Sequence, residues 1–285
     1  VNAQPKTGKI LIIYFHSLGF PMRKTNEQML RCFEHFSSHL VYFLNLAFPV
    51  PENILHVQFD LVIFHDLLLC KRSLPRRFDR IRKNAEPLKQ VKGYRIATVQ
   101  DEFTQTDILN DFLVDFDVRH IFSVAPPTEW EKIYPKLDRS KVQFDFCLTG
   151  YLDDNEIARI EGLQKQGLQR TIDIGYRATP IRHSLGYIGY LKVQITEIFK
   201  AACKGLPLSI NLSNDPKDSF LGDAWYNFLL SCKYTLGVES GASVLDRDGS
   251  VDKRVQDYLQ LHPQASFEEV QAACFAELDG QLQLQ

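Results

Sequence analysis

The sequence predicts an α/β protein made of two tandem blocks, each built on a largely parallel sheet. Three observations carry this reading. Short apolar runs alternate with helix-length segments along most of the 285 residues, the pattern of strand–helix–strand units. A polar stretch poor in large apolar residues, 151–170, interrupts the alternation at mid-chain. Ionisable or small residues fall just past the strand ends, whereas the strand interiors are almost wholly apolar.

In the first block, "KILIIYF" (9–15) is a buried-strand pattern, and "NEQMLRCFEHF" (26–36) sets Met29, Leu30, Phe33 and Phe36 at helical spacing. Strands follow at "LVYFLNL" (40–46) and "FDLVIFH" (59–65), then a basic helical segment, "PRRFDRIRKNAEPLKQV". "YRIATVQ" (94–100) and "HIFSVA" (120–125) are strands flanking the helix "DILNDFLVDF", and "VQFDFCLTG" (142–150) closes the block. Residues 151–170 form a connection. The second block reads "TIDIGYRA" strand, "YLKVQITEIFKAAC" helix, "PLSINLS" strand, "DAWYNFLLSC" helix and "YTLGVES" strand. The tail is helix, His262-Pro263 turn and helix, and Ser266 with Glu269 makes a capping box. The expected domains are therefore 1–150 and 171–285, with six clear strands in the first block and three in the second.

Composition narrows the function classes. A formal net charge of -2 supplies no basic field of the kind that binds nucleic acid non-specifically. The six cysteines show no CxxC spacing and read as reduced, buried thiols of a cytoplasmic protein. No run is long and apolar enough to span a membrane, and "VNAQPKTGKI" has no signal-peptide core. Residues 71–84 hold seven Lys or Arg against one Asp, so peripheral contact with anionic lipid is weighed beside a solvated basic helix.

Ligands of open parallel sheets bind beyond the carboxyl ends of the strands. In the first block those ends carry His16, His65 and the pair Asp101-Glu102. Two carboxylates side by side suit general-base work on a hydroxyl, or simply a helix N-terminus. Thr104, Thr106 and Asp107 read as caps. In the second block the ends carry Tyr176-Arg177 and "ESGAS", Glu239 to Ser243. Arg177, Lys192 and the small residues Ser240, Gly241 and Ser243 could hold a diphosphate through cations, amides and hydroxyls, with Gly186 and Gly189 letting the intervening loop come close. There is no GxxxxGK[ST], no GxGxxG, and no glutamate at position 257, twelfth from Asp246, where a Ca²⁺ loop needs one. No metal site and no cofactor are expected.

The motifs "QDEF", "HIFSVAPPTEWEKIYP", "LTGYLD", "IGYRATPIRHSLGYIGYLK", "GDAWYNFLLSCKYTLGVESGASVLDRDGS" and "HPQASFEEV" resemble a family of bacterial glycosyltransferase-like proteins of surface-polysaccharide biosynthesis, over nearly the whole chain. The resemblance implies two Rossmann-like domains facing a cleft, as in GT-B sugar transferases. It also implies metal-independent transfer from a nucleotide-sugar donor to a glycan or lipid-linked glycan acceptor. Arg177 and Lys192 match the positions that contact the donor phosphates. Tyr176, Glu239, Ser240, Gly241 and Ser243 fall at the donor-facing loops. The acceptor and any catalytic base come from the first domain, with His16, His65, Asp101 and Glu102 as candidates by position. Members of the family continue into a motif like "PRxFEA", and this sequence ends at "FAELDGQLQLQ" without it, so the second domain is expected to be incomplete. A catalytically inactive binding or scaffold protein is the alternative expectation. A periplasmic-type two-lobed binding protein is disfavoured by the free cysteines and the missing signal peptide.

Overall fold

A computed structural model of the chain describes residues 8–19, 21–239, 241–275 and 278. It divides into two compact units, Val1–Tyr151 with Asp246–Gly249, and Leu152–Leu245 with Ser250–Gln285.

The first unit runs β1 (Lys9–Tyr14), α1 (Lys24–Phe36), β2 (Leu40–Asn45), α2 (Glu52–Leu55), β3 (Leu61–Phe64), α3 (Asp66–Leu69), α4 (Pro75–Ala85), β4 (Tyr94–Val99), α5 (Thr106–Asp115), β5 (His120–Ser123), α6 (Trp130–Ile133) and β6 (Gln143–Phe146). All pairs are parallel, in the order β2-β1-β3-β4-β5-β6. Helices therefore cover both faces of β1 and β3, and the continuous apolar runs of the sequence are buried on both sides. Leu11, Ile12, Ile13, Ile63 and Phe64 are fully enclosed. On one face, Leu30 of α1 packs with Ile10, Ile12, Ile63 and Ile96. On the other, Phe112 and Phe116 stack at 4.4 Å, with Phe64 and Phe78 edge-on or tilted against them. Each such side chain contributes about 1.5–3 kcal/mol on burial. The chain leaves β1 toward β2 on one side and returns to β3 on the other, so a topological switch point lies at the carboxyl ends of β1 and β3.

The second unit contains α7 (Asp154–Gln164), β7 (Ile172–Arg177), α8 (Gly186–Ala202), β8 (Ile210–Ser213), α9 (Asp223–Ser231), β9 (Cys232–Thr235), α10 (Ser250–Leu261) and α11 (Phe267–Cys274). Its parallel sheet has the order β8-β7-β9, which repeats the arrangement of β2, β1 and β3 and puts a second switch point between β7 and β9. Gly175 is required in the middle of β7, because a Cβ there would lie 2.3 Å from Sγ of Cys232. The expected capping box at Ser266 and Glu269 is present, both bonds formed.

Several elements differ from expectation. β9 starts at Cys232, because α9 stops at Ser231 and Cys232 already pairs with Ile172. The strand ends at Thr235, Leu236 N–H still donates to the Gly175 carbonyl of β7 at 3.2 Å, and Gly237 to Glu239 run past the sheet. Helix α8 begins at Gly186, so Gly186 and Gly189 belong to its first turn and not to a loop. The cysteines are all free thiols, but only Cys232 and Cys274 are buried, the other four being half-buried. Among the described residues no helix is long and apolar enough to cross a membrane.

Candidate functional site

At the carboxyl edge of the first sheet, Phe15 and His16 follow β1, and His65 and Asp66 follow β3. The main chain at His16 is pinned on both sides by Asn45 of β2. Its N–H donates to Oδ1 at 2.9 Å, and its carbonyl accepts from Nδ2 at 2.8 Å. His16 itself is half-buried.

His65 is buried, with 1% exposed, and Nδ1 lies 2.7 Å from Oδ1 of Asp66 and 3.2 Å from the amide nitrogen of Leu67. One ring nitrogen cannot both donate and accept. The shorter contact has the length of a charge-assisted bond, so Nδ1–H donates to Asp66. Asp66 is in turn placed by its own N–H, which donates to Oγ1 of Thr98 in β4 at 3.3 Å.

Beyond β4 the chain carries Gln100, Asp101 and Glu102, and the two carboxylates part company. Glu102 is 3% exposed, and four donors converge on it. Oε1 accepts from Ser123 Oγ at 2.6 Å and from the Tyr134 hydroxyl, and Oε2 accepts from the N–H of Val124 at 2.8 Å and of Ala125 at 3.0 Å. Trp130 Nε1 donates to Ser123 Oγ at 2.9 Å and closes the cluster. Burial pushes the Glu102 carboxyl above the usual range, against the pull of those four hydrogen bonds. Burial also drives the Tyr134 phenol well up, with the negative charge of Glu102 adding to it.

Asp101 is exposed and sits in the left-handed region at φ 52. Its carbonyl accepts from Nη2 of Arg72. Arg72 is fully buried and also donates to the carbonyls of Gln100 at 3.1 Å, Thr104 at 3.0 Å and Leu69 at 2.9 Å. Burial lowers its pKa, while Tyr134, Asp101 and Glu102 push the other way; guanidinium stays charged in any case.

The same loop is held from its far side by the main chain of residues 246–247. Asp246 N–H donates to the Phe103 carbonyl at 2.7 Å, Gln105 N–H to the Asp246 carbonyl at 2.7 Å, and Asp107 N–H to the Arg247 carbonyl at 3.0 Å. Thr104 and Asp246 form a parallel bridge. The expected threonine caps are therefore not the ones used. Gln105 is the N-cap residue of α5 without a side-chain bond, and Oγ1 of Thr106 is buried without a partner. Asp246 is buried, and its Oδ1 accepts from Gly249 N–H at 3.0 Å, which closes a turn over "DRDG".

His16, His65, Asp101 and Glu102 thus lie along one sheet edge, at the ends of β1, β3 and β4. Among the described residues no hydrogen bond or ion pair joins any two of them. Sequence reasoning missed Arg72, Asn45 and Tyr134. Arg72 sits in a run of seven cations, where nothing marks one as buried. That run is largely used inside the unit: Arg72 as above, Arg82 with Asp115 at 2.9 Å, and Arg77 over the Phe15 ring at 4.8 Å. Arg76, Arg80 and Lys83 remain exposed.

In the second unit, Tyr176 is buried, and its hydroxyl donates to the Lys192 carbonyl at 3.2 Å, joining β7 to the second turn of α8. Burial raises its pKa. Arg177 is half-buried and spends four N–H groups within the unit. They go to the carbonyls of Tyr176 at 2.8 Å, Asn211 at 2.9 Å and Asp218 at 3.0 Å, and to Oδ1 of Asn211 at 2.7 Å. Its guanidinium also lies over Phe220 and Phe228. Among the described residues, the fifth N–H has no hydrogen-bond acceptor.

The loop past β9 reaches the start of α8. Ser243 N–H donates to the Leu185 carbonyl at 3.0 Å, and its Oγ accepts from Tyr187 N–H at 2.9 Å. Ser243 therefore caps α8, and Gly186, at φ +74, is required because a Cβ there would meet Ser243 Oγ at 2.4 Å. Glu239 is exposed, and Gly241 has φ 138 with open space around it. Ser240 lies outside the described residues. Among the described residues no group of three or more His, Cys, Asp or Glu is placed to hold a metal ion.

The chain is thus an α/β protein with a six-stranded and a three-stranded parallel sheet, consistent with two Rossmann-like units. Comparison with known protein families, with curated proteins and with solved structures gave no match.

Proposed function

We propose that this chain is a metal-independent glycosyltransferase that takes a sugar from a nucleotide-sugar donor and gives it to a glycan or lipid-linked glycan. The observation that carries the reading is in the second unit. The order β8-β7-β9 puts the switch point between β7 and β9, and beyond β9 Ser243 meets the first turn of α8. A strand-end loop beside a helix N-terminus is a favourable place for a diphosphate. Lys192, on the second turn of that helix, would add charge to the leaving group, and charge stabilisation there is the main need when a sugar–phosphate bond breaks. The carboxyl edge of the first sheet, with His16, His65 and Asp101, would serve the acceptor.

A second reading, a binding or scaffold protein without turnover, draws on a specific observation. Two groups expected on the phosphates, Arg177 and the Ser243 hydroxyl, are already engaged within the unit.

Calorimetric titration of the whole chain with UDP, GDP, CDP and dTDP tests both. Binding of one of them, weakened about tenfold by Lys192→Gln, together with hydrolysis of the matching nucleotide-sugar, supports the transferase. Binding without hydrolysis or transfer supports the scaffold. If none of the four binds, both readings fail.

A further inference from the structure

We infer that Asp101, and not its neighbour Glu102, is the carboxylate that the first unit offers to a ligand hydroxyl, and that Arg72, Glu102 and the main chain of 246–247 hold it in place. The inference rests on the acceptor role proposed for this sheet edge. The two acids look equivalent in sequence, but their surroundings are opposite. Glu102 is enclosed, and both oxygens are filled by four donors. A carboxylate so occupied has no lone pair to give a substrate without unmaking the turn after β5. Asp101 is exposed.

Its backbone is the second argument. Three described residues other than glycine have positive φ: Asp101, Gln105 and Asp117. Asp117 has a local reason, since it follows α5 in a Schellman stop, with its own N–H on the Val114 carbonyl and that of Val118 on the Leu113 carbonyl, both at 3.0 Å. Asp101 has no helix to end; it follows a strand. It opens a turn in which Thr104 N–H donates to its carbonyl at 3.4 Å, and that turn is held from outside, by a buried guanidinium on the carbonyls of Gln100, Asp101 and Thr104 and by three main-chain bonds with residues 246–247. A left-handed residue persists where its surroundings over-determine it, and such places concentrate at functional sites.

The chemistry follows. The acceptor O–H bond breaks, its proton passes to Asp101, and its electron pair forms the bond to the anomeric carbon. The bond from that carbon to the diphosphate oxygen breaks, and its pair leaves on the nucleoside diphosphate.

Three variants of the whole chain test this: Asp101→Gly, Asp101→Asn and, as a control, Asp117→Gly. Glycine takes a positive φ without strain, so both glycine variants should melt at the wild-type temperature or about 2 °C above it. Asn tolerates the left-handed region but cannot accept the proton. Asp101→Gly and Asp101→Asn should lower kcat for sugar transfer about 100-fold, with KM for the nucleotide-sugar unchanged, and Asp117→Gly should leave both alone. An unchanged kcat in either Asp101 variant, or a melting temperature of Asp101→Gly clearly below wild type, overturns the inference; the second result would mean that the carboxylate serves the fold. If wild type neither binds a nucleoside diphosphate nor turns over a nucleotide-sugar, the transferase reading falls. The inference, which rests on that reading, then falls with it, whereas unchanged kcat of the Asp101 variants beside an active wild type overturns the inference alone.

Discussion

The two units share a strand order around their first strand but differ in how the sheet is enclosed. In the first, β1, β3 and β4 have neighbours on both edges, and helices lie over both faces, so residues such as Leu11, Ile63 and Phe112 are fully buried. In the second, both outer strands of three are edges, and Ile210 and Tyr234 on them are 36% and 71% exposed. The polar groups follow the same division. The first unit buries Arg72 and Glu102 and satisfies them with seven hydrogen bonds besides the one to Asp101. The second keeps its chief cation, Arg177, half-exposed between loops and two phenyl rings. A buried polar frame is possible only where enough apolar area surrounds it to offset its desolvation. The lesson is that rigid placement of a rim residue needs the enclosure of the first unit, whereas the thinner second unit holds its chief cation near the surface.

The hardest blow to this contrast is removal of the buried cation. Arg72→Met should strand four carbonyls and leave Glu102 without its nearby positive charge, costing about 3–5 kcal/mol. The two tryptophans report the units separately, Trp130 buried in the first and Trp225 half-buried in the second. In urea, fluorescence of Trp130 in a Trp225→Phe background should shift strongly with Arg72→Met. Fluorescence of Trp225 in a Trp130→Phe background should shift little. Equal shifts in both would mean that the units unfold as one body, and the contrast would lose its energetic meaning.

Paired core truncations ask the same question of packing. Phe112→Ala removes a ring stacked among Phe64, Phe78 and Phe116 and should cost about 4 kcal/mol. Phe228→Ala, against Phe220, Trp225 and Arg177, should cost about 3 kcal/mol, because its thinner surroundings can relax into the gap. A larger loss for Phe228→Ala would reverse the ranking of the two cores.

A milder change sharpens the reading of the loop past β9. If Ser243 acts as a helix cap, Ser243→Ala should cost about 1 kcal/mol in unfolding of the second unit, with affinity for a bound nucleoside diphosphate changed less than twofold. A tenfold loss of affinity would return its hydroxyl to the phosphate.

The regular framework could be read from the sequence because it depends on local pattern. Ile10 to Ile13 and Val62 to Phe64 are unbroken apolar runs, and buried parallel strands have that form. The site was legible only as a set of positions. That Asp101 and Glu102 diverge depends on Ser123, Tyr134 and Arg72, which lie 21 to 32 residues away along the chain. No spacing rule links residues across such separations. The same holds for the main chain of 246–247, which caps α5 from about 140 residues downstream; its carbonyls leave no trace in residue type. Where local cues did mislead, as at β9, the shift came from pairing with β7, a tertiary constraint that overrides strand propensity.

The smallest effect separates the units by pH. Glu102 has its pKa raised by burial, so the folded state holds a proton there more readily than the unfolded chain. Its contribution to stability is fully present below the unfolded carboxylate value, about 4.3, and is lost as pH rises through the folded value. His183 in the second unit is the opposite case. Burial lowers its pKa, with Glu268 opposing, so its contribution is present above the unfolded value of about 6.5 and is lost as pH falls through the folded one. The two signs are therefore contrary: falling pH favours the first unit through Glu102, down toward about 4.3, and weakens the second through His183 below about 6.5. Asp138 in the first unit, lowered to about 2 chiefly by Ser140, and Asp173 in the second, lowered chiefly by Lys233, both act below this window, where falling pH costs each unit alike. Urea midpoints of the two tryptophan signals at pH 7 and pH 5 measure the divergence. Glu102→Gln should flatten the response of Trp130 and His183→Gln that of Trp225. If His183→Gln leaves the pH response of Trp225 unchanged, the slope arises elsewhere, and this last distinction between the units dissolves.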